Sequence, residues 1–245
     1  MIIITGPGRS GTSVLSALYH ELGFDPGGSW WPEINAGLED AEVVAANDLI
    51  ARDLRLTMLG PARGPARLTL PEGSVLSKIS KRCQLYFKLN SLPGRRARTV
   101  RLFSWDRLDE VAAQHGPHLK DLAATRLVAK DPRFMWTLPV WIKAGADVGG
   151  VILTTRNMQA CLASNNSGRF LSFSSQTDAR NSLIYGLGVC IAACTDADIS
   201  YRVLQFPHFL DDVELLAGLP LLRDRARGDV EAAARRLVKP DLVHF

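Results

Sequence analysis

The chain has 245 residues, of which 47% are hydrophobic, and its formal net charge is +4. This length and composition suit one large domain with a substantial core. The charge is too weak to indicate a nucleic-acid-binding protein, and no apolar run approaches the ~20 residues of a transmembrane helix, so we expect neither nucleic acid nor a membrane span.

The first predicted elements are a buried strand over residues 2–4 and a helix over residues 14–22, joined by a glycine-rich turn. The spacing Gly6-x4-Gly11-x-Ser13 copies that of a phosphate-binding loop. Such a loop binds anions because backbone N–H groups and the positive end of the helix dipole converge at the helix N-terminus.

One position of this loop departs from the nucleoside-triphosphate motif. Thr12 stands where that motif needs lysine, and the strong cation of the loop is Arg9, three positions earlier. The sequence therefore predicts a phosphate cradle that has an arginine in place of the triphosphate lysine.

Helices and strands alternate along the rest of the chain. In chain order we predict helices over 38–54 and 106–115, a strand at 127–129, a helix over 138–144, a strand at 148–155, helices over 158–164 and 182–194, a strand at 201–206, and two or three closing helices. Strands separated by helices predict an α/β fold: a three-layer sandwich with a mostly parallel central sheet, similar to P-loop NTPases.

Residues 59–101 stand apart in composition. Three prolines and three glycines lie within 59–74, and seven arginines lie within 60–101. Too little chain precedes this stretch to form a domain, so we expect a mobile segment within a single domain, 1–245. Its basic residues are either a solvated face or an attraction for a charged acceptor.

The histidines and cysteines do not indicate a metal site. The five histidines are scattered, and His115 and His118 flank Gly116-Pro117, which predicts a turn. The four cysteines contain no CxxC pair, and no basic segment precedes the first strand, so we expect free thiols, no signal peptide and a cytoplasmic location.

Charged residues follow three of the predicted strands. Arg9 follows the first strand, Lys130 and Arg133 follow the second, and Arg156 follows the third. Because the carboxyl ends of parallel strands face one crevice, we expect these cations to converge on one anion.

These residues resemble those of sulfotransferases that use 3′-phosphoadenosine 5′-phosphosulfate (PAPS) as donor. The family's first loop reads Lys/Arg-Ser-Gly-Thr-Thr/Ser and holds the 5′-phosphosulfate, which implies donor contacts from the matching loop: Gly8, Arg9, Ser10, Gly11, Thr12 and Ser13. The family's second signature is an arginine at a strand end and a serine eight residues later. Arg156 and Ser164 have that spacing and are implied to bind the 3′-phosphate, and Arg169 is a further candidate contact.

Two further runs extend the resemblance over essentially the whole chain. Lys130-Asp131-Pro132 is similar to a step of tyrosylprotein sulfotransferases and many bacterial members, in which the lysine reaches the bridging oxygen of the donor. The resemblance thus implies that Lys130, with Arg9, stabilises the leaving phosphate. The Gly37-Leu38-Glu39-Asp40 run and the later Asn47-Asp48 are similar to a Gly-x-x-Glu…Asn-Asp stretch of bacterial members.

The general base is less clear from the sequence. Pro132 stands where cytosolic small-molecule members have histidine, so a carboxylate is expected, with Glu39 first, Glu33 second and Asp131 third. Glu39 is otherwise a helix-start residue and Asp131 a loop brace. The candidates for contacts with the acceptor are Glu33, Asp131 and Arg133. For Arg133, a structural ion pair is an equal alternative.

The resemblance implies transfer of a sulfuryl group from PAPS to a hydroxyl of a small-molecule, glycan or glycolipid acceptor, with 3′-phosphoadenosine 5′-phosphate (PAP) as product. No metal is expected, and residues 59–101 are expected to face the acceptor. Two alternatives stay open: a P-loop kinase that uses ATP on a small metabolite, and a non-catalytic nucleotide-binding protein on the same fold. The Ala/Arg/Leu-rich composition suggests a bacterial source.

Overall fold

The computed structural model describes residues 1–25, 38–54, 107–167 and 176–237. Within these ranges a parallel sheet is formed by the strands β1 (Ile2–Thr5), β2 (Val128–Lys130), β3 (Gly150–Thr155) and β4 (Tyr201–Gln205). Its strand order is β2-β1-β3-β4, and every neighbouring pair is parallel. The carboxyl ends of all these strands therefore lie along one edge of the sheet.

Helices connect the strands and close the chain. They are α1 (Thr12–Glu21), α2 (Ala41–Asp53), α3 (Leu108–Thr125), α4 (Phe134–Lys143), α5 (Met158–Ser167), α6 (Gln176–Asp196), α7 (Val213–Ala217) and α8 (Arg227–Leu237), with a 3₁₀ turn at His208–Leu210.

Two apolar cores lie on opposite faces of the sheet. Alternate residues of β1 point to opposite faces, so Ile3 packs with α2, α3, α4 and α6, whereas Ile4 packs with α1, α7 and α8. Both isoleucines are fully buried, which contributes about 1.5–3 kcal/mol each. The predicted α/β class and three-layer arrangement around a parallel sheet are confirmed.

Two helices that contain proline depart from the sequence-based prediction. The turn predicted at Gly116-Pro117 is wrong: α3 continues through Pro117 to Thr125. Val111, Leu119 and Leu122, on both sides of the proline, are buried in the core, and this burial outweighs the ~3 kcal/mol that an internal proline costs.

The helix predicted at 138–144 begins earlier, at Phe134, so that Pro139 lies inside it rather than near its start. Phe134, Met135 and Trp136 are buried, which favours the extra turn. Their apolar character was visible in the sequence, but the prediction began the helix only at residue 138.

Three of the predicted free thiols are observed. Cys161, Cys190 and Cys194 are buried and form no disulfide, and the last two lie one turn apart on α6. Among the described helices, none combines the length and hydropathy that crossing a bilayer requires. The segment 59–101 lies outside the described residues.

Candidate active site

The loop between β1 and α1 depends on two glycines. Gly6 has φ 152°, and a Cβ atom there would lie 2.2 Å from the Thr154 carbonyl oxygen. Gly11 has φ 94°, and a Cβ atom there would lie 2.6 Å from the Phe206 ring. Because real Cβ atoms do not come so close to other atoms, neither position accepts a side chain without rearrangement.

A buried hydroxyl pair fixes the loop to the sheet. Ser10 Oγ and Thr154 Oγ1 are 2.7 Å apart, and both residues are fully buried. The Ser10 N–H donates to the Pro7 carbonyl, which closes the turn. Of the predicted donor-binding loop residues, Ser10 and Thr12 are therefore inside the protein, whereas Gly8, Arg9, Gly11 and Ser13 reach the surface.

The N-terminus of α1 is suited to a negative charge. Gly11 is its N-cap, no side chain makes a capping hydrogen bond, and the first turn holds no acidic residue. The partial positive charge of the helix dipole is therefore not offset by a carboxylate of that turn. This glycine-framed cradle fits a phosphate or sulfate group.

Arg156 contacts the backbone of this cradle. Arg156, directly after β3, donates from Nη1 to the backbone carbonyl of Arg9 at 3.4 Å. The same guanidinium lies 5.3 Å from the ring centre of Phe206, a cation–π contact that orients it. Arg156, at the end of β3, thus contacts the loop that follows β1 and carries Arg9. The convergence of the two cationic side chains on one anion stays a prediction.

Lys130 and Glu39 form a buried ion pair. Lys130 Nζ lies 2.5 Å from Glu39 Oε1, and the two residues are 1% and 9% exposed. Lys130 is the last residue of β2 and stands opposite Ile4, so its side chain leaves the sheet on the face that α1 covers. Glu39 precedes the N-cap of α2 and follows Leu38, whose carbonyl accepts from Ser16 of α1.

Asp131 is a brace for the loop after β2. Its Oδ1 accepts from the Arg133 N–H at 2.9 Å and from Arg133 Nη1 at 3.0 Å, and its Oδ2 accepts from Asn47 Nδ2 at 2.9 Å. The carboxylate is fully buried. Of the roles predicted for Asp131, these contacts support bracing rather than contact with an acceptor.

Arg133 is held by two carboxylates. Besides Asp131, it reaches Asp48 Oδ1 at 2.7 Å. Burial alone would lower the pKa of Arg133, but Asp131, Asp48 and Glu39 outweigh it and hold that pKa above its ordinary value. Burial raises the pKa of Asp48 even though Arg133 opposes the shift. The geometry supports the structural ion pair, one of the two roles open for Arg133.

Asn47 is the centre of a polar network that connects α2, the loop after β2, and α4. While Nδ2 donates to Asp131, Oδ1 accepts from Thr137 Oγ1 at 2.6 Å and from Trp141 Nε1 at 2.9 Å. Sequence reasoning identified Asn47 only through the family resemblance and did not identify Thr137. The available signal was a lone amide among apolar residues of α2, such as Val43 and Ile50.

Some predicted site residues lie outside this description. Glu33 and Arg169 are outside the described residues, and Ser164 is described only by its place in α5. Comparisons with protein-family models, with curated proteins and with solved structures found no match to this chain.

Proposed function

We propose that the protein transfers a sulfuryl group from PAPS to a hydroxyl group of a small-molecule, glycan or glycolipid acceptor. The observation that carries this proposal is the buried Lys130–Glu39 pair at the end of β2, in the strand next to the glycine-framed cradle. A proton donor and a proton acceptor thus lie one hydrogen bond apart, and Lys130 leaves the sheet on the face covered by α1, whose N-terminus suits an anion.

The donor would be held by the cradle and by the two arginines. The surface-facing loop residues, Gly8, Arg9, Gly11 and Ser13, would bind the 5′-phosphosulfate, and Arg156 the 3′-phosphate. Ser164 and Arg169 are proposed as further contacts to that phosphate. PAPS supplies the sulfuryl group and a phosphate leaving group when it is bound.

Lys130 and Arg9 would stabilise the negative charge that develops on the leaving phosphate. Preorganised cations directed at an oxygen on which negative charge develops lower the barrier, and they act most strongly where water is excluded. Lys130 is almost fully buried, so its ammonium group meets this condition, and its N–H bonds can donate to that oxygen.

Glu39 would accept the proton of the acceptor hydroxyl. Of the three carboxylates considered for this role, Asp131 is engaged by Asn47 and Arg133, and Glu33 lies outside the described residues. Glu39 pairs with the Lys130 ammonium group, so a hydroxyl placed against its carboxylate would also face the reacting end of the donor.

Residues 59–101 are proposed to face the acceptor. The cytoplasm is the proposed location, because the described cysteines are free and buried, which suits a reducing compartment.

The experiment that tests this function is incubation of the protein with sulfur-labelled PAPS and a panel of hydroxyl acceptors. We expect label in a product, and Glu39→Gln should lower turnover about a hundredfold with little change in donor affinity, because it removes the base and keeps the shape. Arg235→Ala, at an exposed position of α8, is the matched control and should keep full activity.

Two other results would contradict the proposal. Phosphoryl transfer from ATP and Mg²⁺ without sulfuryl transfer would make the protein a kinase. Tight PAPS binding without turnover on the whole panel would make it a non-catalytic binding protein.

A further inference from the structure

Asn47 connects the two segments that carry Lys130 and Glu39. Asp131, its partner, directly follows Lys130, and α2, which contains Asn47, begins just after Glu39. Asn47 is fully buried, and its amide makes three hydrogen bonds to side chains. Its place in the molecule is therefore fixed by directional contacts rather than by packing alone.

The Asp131 end of this connection is fixed to the sheet. The Asp131 N–H donates to the Ile4 carbonyl at 3.2 Å, and the Asp131 carbonyl accepts from Thr5 Oγ1 at 2.9 Å. The backbone after Lys130 thus has a defined position relative to β1. Because the Asp131 carboxylate also accepts from Asn47, it fixes the position of α2 relative to this backbone.

The position of α2 in turn determines where Glu39 lies, because Glu39 directly precedes the N-cap of this helix. Asp40, the N-cap of α2, precedes Asn47 by two helical turns, so both lie on the same face about 10 Å apart. Asp40 Oδ2 pairs with Arg126 Nε at 3.2 Å, which holds the start of the helix. Asn47 attaches α2 to the loop after β2, next to the Asp48–Arg133 ion pair, and so contributes to fixing the rotation and direction of α2 and with them the entry of residue 39.

We propose that Asn47 is a positioning residue that holds the Glu39 carboxylate against the Lys130 ammonium group. It touches neither the donor nor the acceptor and acts through Asp131 and α2. The effect on the ion pair follows from the geometry alone, whereas its catalytic meaning rests on the proposed sulfuryl transfer.

A reciprocal exchange of the two side chains tests this role. Asn47→Asp places two carboxylates face to face without a hydrogen between them, and Asp131→Asn places two amide groups there. The double variant Asn47→Asp/Asp131→Asn restores the bond between positions 47 and 131 with donor and acceptor reversed. The new carboxylate at 47 still accepts from Thr137 and Trp141, and the new amide oxygen at 131 still accepts from Arg133, without the charge of the original ion pair. Thr137→Val is the matched control, since it removes one bond to Asn47 and leaves the link to Asp131 intact.

The readout is the hydrogen exchange rate of the Lys130 ammonium group, measured by ¹⁵N NMR and assigned from its loss in Lys130→Arg. We expect slow exchange in the unchanged protein and in Thr137→Val, an increase of about tenfold or more in Asn47→Asp, and slow exchange again in the double variant. Thermal unfolding of each variant shows that the folded form is being measured.

Unchanged exchange in folded Asn47→Asp, or no recovery in the double variant, would overturn the positioning role. Turnover of PAPS by the same proteins separates this result from the proposed function. If the unchanged protein neither binds PAP nor transfers the sulfuryl group, the proposed function fails, whereas the ammonium exchange still decides the role of Asn47.

Discussion

Lys130 and Glu39 are 91 positions apart in the chain, yet their side chains form an ion pair inside the protein. Breaking such a pair leaves one buried charge without its partner, at a cost of about 3–5 kcal/mol, whereas replacing both groups by apolar ones is often nearly neutral. The two residues should therefore be strongly coupled in their effect on stability.

We predict that Glu39→Leu and Lys130→Met each lower the free energy of unfolding by about 3 kcal/mol. The double variant should lose clearly less than the sum of the two single changes. Urea unfolding of the four proteins measures this coupling. Additive losses would mean that the two charges do not stabilise each other.

Gly11 is predicted to be indispensable for the shape of the cradle. Gly11→Ala would place a Cβ atom 2.6 Å from the Phe206 ring at a positive φ, so we expect a loss of about 1–3 kcal/mol and weaker PAP binding. Gly188→Ala on α6 is the control, because nothing lies within 4 Å of its added Cβ atom.

Gly188→Ala should leave stability unchanged or raise it by about 0.5–1 kcal/mol, since alanine favours a helix over glycine. Thermal unfolding measures the stability of Gly11→Ala and Gly188→Ala, and calorimetry measures their binding of PAP. Equal behaviour of the two variants would show that the close approach of Phe206 to Gly11 does not matter.

Arg156 is predicted to favour nucleotides that carry a 3′-phosphate, such as PAP, over nucleotides that lack it, such as AMP. Arg156→Ala should weaken PAP binding by tenfold or more, because charge-assisted hydrogen bonds contribute about 1.5–3 kcal/mol, and should change AMP binding far less. Arg235→Ala removes an equal charge from an exposed position of α8 and should change neither. Equal losses for PAP and AMP would show that Arg156 does not bind the 3′-phosphate.

Asp53 is predicted to stabilise the fold in a pH-dependent way. Burial pushes the pKa of Asp53 up, but hydrogen bonds and charges of Arg52 and His115 outweigh it and hold that pKa below its ordinary value. A carboxyl group of this kind adds stability above its unfolded pKa of about 3.9, and this stability is lost as the pH falls through the folded pKa.

The test compares the unchanged protein with Asp53→Asn by urea unfolding from pH 6 downward. The difference in unfolding free energy should be largest near pH 5–6 and shrink below about pH 4. Asp109→Asn is the control, because Asp109 is exposed and pairs only at the surface with Lys143. A difference that does not vary with pH would contradict the assignment.

The strands and the cradle can be predicted from the sequence because their signals are local. Three adjacent isoleucines at 2–4 define a buried strand, and the glycines that follow define the turn. The passage of α3 through Pro117 is not local, since it depends on the burial of Leu119 and Leu122 against other elements.

The candidate site also combines residues that the sequence predicts with contacts that it does not. Arg9, Lys130 and Arg156 can be found as cations that follow strands, and Glu39 as a carboxylate that resembles a family residue. Their partners are set by tertiary contacts between distant parts of the chain. Neither the bond between Asn47 and Asp131 nor the contact of Phe206 with Gly11 leaves a pattern in the sequence.

The cradle and Arg156 are proposed to bind a 3′-phosphorylated adenosine nucleotide. Calorimetric titration of the protein with PAP, and separately with ATP and Mg²⁺, measures this preference. We expect tight binding of PAP and weak binding of ATP. Tight binding of ATP and weak binding of PAP would instead assign the glycine-framed loop to a nucleoside triphosphate.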